Sequence, residues 1–506
     1  MTTAAELGQA YAIEGPALEL GTVVLQGQAF PEARVRLPLS MLTRHGLVAG
    51  ATGTGKTKTL QLMAEQMSTA GIPVFLADVK GDVSGVAAPG IAGERITERA
   101  ADTGTDWVPT AFPAEFLALG GLGTGVPVRA TMTSFGPVLL SKVLGLNETQ
   151  ESSLGLVFHF ADGAGLPLLD LKDLRAVIHH LVSDEGKADL KGLGGLSTAT
   201  AGVILRELIG LEDQGGDVFF GEPEFDTADL LRVAPDGRGV RSVMGLAAVQ
   251  DKPRLFSTFL MWLLADLFHD LPEVGDVEQP KLVFFFDEAH LLFDDASEAF
   301  LDAIARTVRL VRSKGVGVFF VTQTPEDVPS EVLAQLGNRV QHALRAFTPD
   351  DAKALRATVS TFPESEAYDL GELLTSMGIG EAAVTILSER GAPTPVAWTR
   401  MRPPASLMAP LDPAVQTSMV AASSLLAEYG QSIDRDSAYE RLLAKVAPEL
   451  EPGLARAEPE REGAVARVLG SSVFRSFARS AASAAGREIS RSLFGTAPRR
   501  RRRSRR

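Results

Sequence analysis

A glycine-rich stretch near the N-terminus has the residue types and spacing that bind polyphosphates. Residues 50–57 read Gly-Ala-Thr-Gly-Thr-Gly-Lys-Thr and match the Walker A phosphate-loop pattern G-x-x-x-x-G-K-[S/T] at every fixed position. In such a loop, backbone N–H groups surround the phosphates, the lysine ammonium reaches the β- and γ-phosphates, and the threonine hydroxyl ligates Mg²⁺. We therefore predict that the stretch binds a nucleoside triphosphate. The predicted nucleotide-binding residues are Gly50, Ala51, Thr52, Gly53, Thr54, Gly55, Lys56, Thr57 and Lys58.

A pair of acids far downstream could supply the metal ligand and the base. Residues 282–286 are Leu-Val-Phe-Phe-Phe, and Asp287 and Glu288 follow directly. This pattern predicts a buried parallel strand that ends in carboxylates, which is the Walker B position of a phosphate-loop protein. There the first acid holds Mg²⁺ through water and the second polarises the attacking water. We predict Asp287 and Thr57 as metal-binding residues and Glu288 as the catalytic base.

A glutamine follows the next predicted strand. Residues 315–321 are apolar, and Thr322-Gln323-Thr324 come after them. A polar residue beside the Walker B strand can sense the γ-phosphate or position water, although it can also be a simple strand cap. We predict Gln323 as a catalytic residue.

Another group of charged residues follows a strand predicted at 71–77. The group reads Asp78-Val79-Lys80-Gly81-Asp82, and ligands of open α/β sheets bind just beyond the carboxyl ends of parallel strands. Asp78 is the better candidate for the site. A solvated loop explains Lys80 and Asp82 equally well.

The elements that must position these residues alternate between strand and helix. Residues 57–67 have apolar residues on one helical face, as do residues 298–312, and each of these helices adjoins a predicted strand. From about 136 to 271 the periodicity is largely helical. The two histidines there, His179 and His180, are better explained as surface or core residues than as ligands. The pattern predicts an α/β fold with a mainly parallel sheet, a helical insertion, a short N-terminal β element and a helical C-terminal tail.

Composition narrows the class of protein. A chain of 506 residues with 45% hydrophobic content can bury a large core and is expected to form two or three domains. With no cysteine it has no disulfide, thiolate zinc site or cysteine nucleophile. Met1 to Ala10 show no secretion signal, and the longest apolar run, residues 256–268, contains Asp266 and is too short to span a bilayer. These features predict a soluble, cytoplasmic protein without a transmembrane segment.

The net charge of −14 by itself argues against a nucleic-acid-binding protein. The charge is uneven, however, because seven of the residues 499–506 are arginines and the remaining chain is more acidic than the total. A basic tail of this kind can contact DNA, an anionic membrane surface or the acidic body itself.

Several blocks together resemble a known group, the HerA/FtsK branch of RecA-like P-loop ATPases, and most closely the bacterial HerA-helicase-like proteins of the YjgR type. The blocks are GATGTGKTKTL (50–60), ADVKGD (77–82), FFGEP (219–223), KLVFFFDEAHLLF (281–293), VRLVRSKGVGVFFVTQTPEDVP (308–329) and LGNRVQHALRAFTPDD (336–351). The resemblance implies an ATP-driven motor that forms a ring, with a hexamer as the expected size, nucleotide between subunits, Mg²⁺ as cofactor and DNA as substrate.

The same resemblance implies that arginines complete the site. Arg312 matches the position of an arginine that acts on the neighbouring subunit's nucleotide, and Arg345 matches a sensor in the same subunit. Arg309 and Arg339 compete for these roles. Archaeal HerA proteins dock a nuclease on a sizeable N-terminal β-barrel. Fewer than about fifty residues precede the phosphate loop here, so dependence on a nuclease partner is doubtful.

Two other functions are compatible with parts of the sequence, and only the second of them stays open. Asp287-Glu288-Ala289-His290 spells the box of another helicase superfamily, but the late Q-x-x-G-R-x-G-R motif of that superfamily is absent from the chain. An ATP-gated oligomeric scaffold that moves no nucleic acid is the second hypothesis, and the acidic body favours it.

The predicted domain division follows from these patterns. It comprises a short β-rich element at 1–40, a RecA-like ATPase domain at 41–135 and 276–402, a mostly helical insertion at 136–275, a linker with helices at 403–463, and an amphipathic helix with the arginine-rich tail at 464–506.

Overall fold

The computed structural model describes residues 2–190, 193–293, 298–388 and 390–445. The predicted helix and arginine tail at 464–506 lie outside these residues. Within the described residues, twelve strands form one sheet in the order β2-β1-β12-β11-β10-β3-β9-β8-β4-β7-β5-β6. The strands are β1 (Ala17–Leu25), β2 (Gln28–Pro38), β3 (Gly46–Ala49), β4 (Val74–Asp78), β5 (Ala114–Leu119), β6 (Val126–Val128), β7 (Arg241–Gly245), β8 (Leu282–Phe286), β9 (Val316–Thr322), β10 (Asn338–His342), β11 (Glu381–Thr385) and β12 (Ala397–Met401).

Helices cover both faces of this sheet. They are α1 (Ala4–Ala10), α2 (Lys56–Thr69), α3 (Glu94–Asp102), α4 (Met132–Val143), α5 (Glu148–Gly163), α6 (Leu171–Val182), α7 (Asp184–Asp189), α8 (Thr198–Leu211), α9 (Asp217–Phe219), α10 (Pro253–Asp270), α11 (His290–Phe293), α12 (Glu298–Val311), α13 (Ser330–Leu333), α14 (Pro349–Ser360), α15 (Leu370–Ser376), α16 (Pro413–Ala421) and α17 (Ser424–Tyr429). None of the described helices combines the length and the apolar character needed to cross a lipid bilayer.

Eight neighbouring strands, from β10 to β6 in the sheet order, are parallel. Every residue of β3, β4, β8 and β9 is buried, because helices pack on both sides of a parallel sheet and its strands are therefore apolar throughout. The prediction of an α/β fold with a mainly parallel sheet is confirmed. The carboxyl ends of these strands meet at one edge, which positions the loops that follow them.

The remaining four strands form an antiparallel wing. β1 and β2 make a hairpin whose turn residues, Gln26 and Gly27, have φ of 52° and 80°, as a two-residue hairpin turn requires. The hairpin pairs with β12 and so extends the main sheet. The alternation of apolar residues at 382–386 and 396–398 predicts edge strands of this sheet, and that position is wrong: the hairpin covers β12, and β11 lies between β12 and β10.

The segment predicted as a helical insertion contributes both helices and a strand. α4, α5, α6 and α8 pack together, and β7 inserts between β4 and β5. Aromatic packing joins α10 to the sheet, with the rings of Phe75 and Phe259 6.2 Å apart. The domain boundaries proposed from the sequence stay a prediction.

Residues 402–445, here called the C-terminal arm, run from β12 across α2 towards the helical insertion. Ser406 contacts α2, the amide of Leu411 donates to Ser84 Oγ at 3.0 Å, and the amide of Ala438 donates to the carbonyl of Pro167 at 3.0 Å. Part of the segment interpreted above as a linker is thus packed against α2.

Candidate nucleotide site at the carboxyl edge of the sheet

The phosphate loop joins β3 to α2 and has a backbone that only glycine tolerates at its ends. Gly50 and Gly55 have φ of 152° and 115°, and α2 begins at Lys56. A Cβ atom on Gly50 would lie 2.5 Å from the Cβ of His342. The glycines therefore serve two needs, a backbone conformation unfavourable for other residues and close approach to β10.

Neighbouring strands hold the loop in place through its backbone. The amide of Gly50 donates to the carbonyls of Thr322 and Gln323 at 3.2 and 3.1 Å, and the amide of Ala51 donates to the carbonyl of Ala343 at 2.8 Å. The amide of Gly380 donates to the carbonyl of Thr54 at 2.9 Å. Contacts from β9, from β10 and from the turn before β11 thus determine the shape of the loop.

Lys56 lies at the start of α2 and is buried. Its ammonium donates to the carbonyls of Gly50 and Ala51 at 2.6 and 3.3 Å, so it sits over the loop. Burial lowers the pKa of Lys56, and the charges of Glu288 and Asp287 oppose that shift. Thr57 follows in the first turn of α2, where the helix N-terminus favours anions.

Asp287 directly follows β8 and is almost completely buried. Its Oδ1 accepts the amide of Glu288 at 3.0 Å, whereas Oδ2 is buried without a hydrogen-bond partner among the described residues. Burial, reinforced by the charge of Glu288, raises the pKa of Asp287 to about 7. An orphaned carboxylate oxygen in a buried place is what a cation would satisfy. The residues therefore fit Mg²⁺, with Asp287 and the hydroxyl of Thr57 as the groups to hold it.

Glu288 has a positive φ of 48° and is also buried. Its Oε1 accepts a hydrogen bond from the ammonium of Lys80, and Oε2 lies 3.3 Å from Nδ1 of His290. Burial alone would raise the pKa of Glu288, but the hydrogen bond and charge of Lys80, with His290 and Lys56, lower it. The carboxylate is thus kept ionised, as a general base must be.

Gln323 and Arg345 lie on the same side of the phosphate loop. Both line a pocket of about 320 Å³ together with Ala51, Thr52 and Phe347. Both side chains are exposed, and they follow the carboxyl ends of β9 and β10 respectively. The structure therefore brings these two predicted residues to the loop.

Arg312 lies elsewhere. It precedes the amino end of β9 and pairs with Asp276 at 3.2 Å. The seven residues of β9 separate it from Gln323, a distance of roughly 20 Å. Arg309 is exposed on α12, and Arg339 donates to the carbonyl of Thr361 at 3.3 Å. Within one chain, Arg312 does not reach the phosphate loop, and its role between subunits stays a prediction.

The structure adds Lys80 and His342 to the surroundings of the site. His342 is fully buried on β10, its Nε2 is 2.9 Å from the hydroxyl of Thr59, and burial lowers its pKa to about 4. The sequence indicated Lys80 only by its position after a predicted strand, and a role in the site and a place in a solvated loop were equally compatible with that position. For His342 nothing in the sequence indicated that it would contact α2.

The chain matches one family model in sequence and several solved structures in fold. The family model described as Helicase HerA-like C-terminal matches residues 24–466. The bacterial conjugative coupling protein TrwBdeltaN70, in its unbound form, is 15% identical with a TM-score of 0.52, over 82% of this chain and 94% of that one. No curated protein matches the chain significantly in sequence.

Two further structures of the plasmid coupling protein TrwB are similar to the same extent. One is in complex with ADP and Mg²⁺, at 16% identity and a TM-score of 0.52, over 80% of this chain and 96% of that one. The other is in complex with the non-hydrolysable ATP analogue ADPNP, at 16% identity and a TM-score of 0.52, over 82% and 95% of the two chains. At these identities the similarity is one of fold.

Proposed function

The chain belongs to the family described as Helicase HerA-like C-terminal, and from this premise we propose that it is a ring-forming motor that hydrolyses ATP and acts on DNA. The observation that carries the proposal is the meeting of three groups at one sheet edge: the phosphate loop, the orphaned carboxylate of Asp287 and the ionised carboxylate of Glu288. The fold shared with TrwB, which has been seen with ADP and Mg²⁺, supports the choice of nucleotide.

Each residue of the site has a role in the proposed reaction. The amides of residues 50–57 and the ammonium of Lys56 bind the phosphates, and Lys58 lies in the same first turn of α2. Mg²⁺, when bound, would neutralise phosphate charge, with Thr57 and Asp287 to hold it. Gln323, which follows β9 and lines the pocket beside the phosphate loop, would sense the γ-phosphate or position the water.

Glu288 is the proposed base. It accepts a proton from a water molecule whose oxygen bonds to the γ-phosphorus, while the bond from that phosphorus to the bridging oxygen breaks and ADP leaves with the electron pair. Arg345, which lines the same pocket, would sense the γ-phosphate in the same subunit. Arg312 would act on a neighbour's nucleotide, because it cannot reach its own.

A ring is the proposed assembly, and a hexamer is the expected size. The reason is chemical: of the two arginines predicted for the site, neither is buried at the phosphate loop as Lys56 is, since Arg345 is exposed and Arg312 lies at the opposite edge of the sheet. An arginine from a second chain would stabilise charge that develops on the transferred phosphoryl group, an effect worth ~10³–10⁵ in turnover.

The base assignment is tested with Glu288→Gln. This variant should bind ATP with the affinity of the parent and hydrolyse it at a small fraction of the parent rate, because the amide cannot accept the proton. Glu185→Gln, the same change at an exposed glutamate on α7, is the matched control and should keep its turnover. Hydrolysis by Glu288→Gln at the parent rate would show that the base has been assigned wrongly.

Action on DNA is tested by the ATPase rate with and without duplex and single-stranded DNA over a range of salt concentrations. A motor that contacts phosphates should be stimulated by DNA, and the stimulation should fall steeply as salt rises. An absence of response to every DNA form would instead favour the ATP-gated scaffold, which the net charge of −14 supports.

A further inference from the structure

The loop 78–83 after β4 is rigidly built. One oxygen of the Asp78 carboxylate accepts the amide of Gly81 at 2.7 Å, and the other accepts the amide of Val83 at 3.1 Å. The carbonyl of Asp78 accepts the amide of Leu246 at 2.8 Å, which ties the loop to β7. Asp78, favoured from the sequence as a site residue, is therefore occupied in shaping the loop. The loop in turn fixes the backbone of Lys80.

Lys80 reaches from this loop to the carboxylate after the neighbouring strand. β4 and β8 are adjacent and parallel, with Ala77 opposite Phe286, so residues that follow the two strands face each other. The ammonium of Lys80 donates to Oε1 of Glu288, and the side chains are 47% and 6% exposed respectively. An ion pair with a buried partner is held more firmly than a pair at the surface, where screening and side-chain entropy offset the attraction.

Hydrogen bonds fix the backbone around Glu288, but apart from Lys80 few contacts restrain its side chain. The amide of Ala289 donates to the carbonyl of Val321 at 2.9 Å, and the amide of Leu291 donates to the carbonyl of Glu288 at 3.0 Å. His290 lies near the second oxygen without forming a hydrogen bond. Lys80 is thus the hydrogen-bond donor that determines the direction of the Glu288 carboxylate among the described residues.

We propose that Lys80 is a positioning residue for catalysis: its ammonium holds the Glu288 carboxylate in the orientation from which it accepts the proton of the attacking water. This inference rests on the proposed function, since it requires Glu288 to be the base. Lys80 does not itself contact the reacting atoms. It leaves Oε2 available to water and removes the rotational freedom that the side chain would otherwise have, and small misplacements of a catalytic group reduce rates strongly.

The test is the steady-state kinetics of Lys80→Met in the full chain. Its kcat should fall ~10–100-fold, while KM for ATP and the dissociation constant of a non-hydrolysable ATP analogue should stay within about twofold of the parent values. Lys80→Arg should restore most of kcat, because a guanidinium can donate to the same oxygen. Lys187→Met, at a comparably exposed lysine in a local pair on α7, should leave every value unchanged.

A double-mutant cycle separates this inference from the proposed function. If Lys80 acts through Glu288, Lys80→Met/Glu288→Gln should be no slower than Glu288→Gln alone. Parent-like turnover in Glu288→Gln would overturn the proposed function. An inactive Glu288→Gln combined with a Lys80→Met of normal or higher kcat would overturn only the role of Lys80, as would weaker binding of the analogue or an additive double variant. Lys80→Gln, which keeps a polar side chain, replaces Lys80→Met if the latter does not fold.

Discussion

Two glutamates of this protein, Glu65 and Glu288, are almost equally buried and yet differ in what surrounds them. Glu65, on α2, accepts the amides of Ala405 and Ser406 at 2.7 and 2.9 Å and also the hydroxyl of Ser406. Among the described residues, the Glu288 carboxylate accepts a hydrogen bond only from the ammonium of Lys80. Backbone amides of the C-terminal arm close the first carboxylate to any ligand, whereas the second stays open on one side.

The buried charges near the two glutamates differ in sign. Arg241 is fully buried near Glu65, donates to the carbonyl of Val86 at 2.6 Å and stacks on the ring of Phe112 at 4.5 Å. Near Glu288 lies Asp287, whose Oδ2 has no partner among the described residues. The Glu65 carboxylate, which accepts two backbone amides and a hydroxyl, stabilises the fold, and the Glu288 carboxylate beside the partnerless Oδ2 of Asp287 is available for chemistry.

The largest effect is expected for Asp287→Asn, which changes the carboxylate beside Glu288 whose Oδ2 has no partner among the described residues. Turnover should fall by about 10³-fold, because a neutral amide holds a divalent cation poorly. Without added Mg²⁺, the variant should be more stable than the parent by about 2 kcal/mol, since a buried charge without a partner is removed. Urea unfolding and ATPase assays on the same samples measure both effects.

The matched control is Asp412→Asn, since Asp412 is exposed and caps α16 and asparagine caps helices as well as aspartate does. It should change neither quantity. A loss of stability in Asp287→Asn would mean that its carboxylate is satisfied within the fold, and the contrast with Glu65 would disappear.

Glu65→Ala removes the carboxylate that the C-terminal arm binds, and it should lower the free energy of unfolding by about 3–5 kcal/mol. Two buried amides of the arm lose their acceptor, and the guanidinium of Arg241 loses its nearest carboxylate. The exposed Glu94→Ala on α3 is the control and should change stability by less than about 0.5 kcal/mol. A similarly small effect of Glu65→Ala would show that the arm is held mainly by its other contacts.

These two regions differ in how far the sequence predicts them. The phosphate loop and Asp287-Glu288 are predictable because their chemistry lies in consecutive residues whose pattern also specifies strand, loop and helix. The partner of Glu288 is 208 positions away, and that of Glu65 is 341 positions away. No local periodicity specifies which distant loops meet, and this is why Lys80 stayed undecided and the residues that pack on α2 were interpreted as a linker.

The wing of the sheet shows the same limit. The alternation of β11 and β12 correctly predicted strands, but the same alternation is compatible with an edge or an inner position. Their place was decided by the hairpin of β1 and β2, which hydrogen-bonds to β12 through Gly21 to Val23. A Cβ at Gly21 would lie 2.0 Å from the carbonyl oxygen of Arg400, so this glycine permits the pairing that hides β12.

The stability of the region around the phosphate loop should also depend on pH, because His342 is buried there. Burial lowers the pKa of His342 from its ordinary 6.5 to about 4, so between these values the unfolded chain binds the proton and the folded chain does not. Stability from this group is therefore lost as pH falls from 6.5 to 4, by about 3 kcal/mol in all. In His342→Gln that loss should be absent, and the stability difference between parent and variant should shrink towards pH 4.

Urea unfolding at several pH values between 7 and 4 measures this difference. His159→Gln, at an exposed histidine on α5, is the control and should run parallel to the parent. A difference between parent and His342→Gln that stays constant with pH would mean that the histidine is protonated equally easily in both states, and that its contact with Thr59 is not built around the neutral ring.

The smallest expected effect comes from Ser406→Ala, which removes one donor to Glu65 and an acceptor of the Gln61 amide, 2.6 Å away. The cost should be about 1–2 kcal/mol, clearly below that of Glu65→Ala, because the amides of Ala405 and Ser406 still bind the carboxylate.

In the double variant of Ser406→Ala and Glu65→Ala the costs should be less than additive, since both changes act on one network. ATP turnover should not change, and Ser360→Ala, on the exposed end of α14, should change nothing. If Ser406→Ala costs as much as Glu65→Ala, the hydroxyl rather than the backbone closes this carboxylate, and the two glutamates differ less than their surroundings indicate.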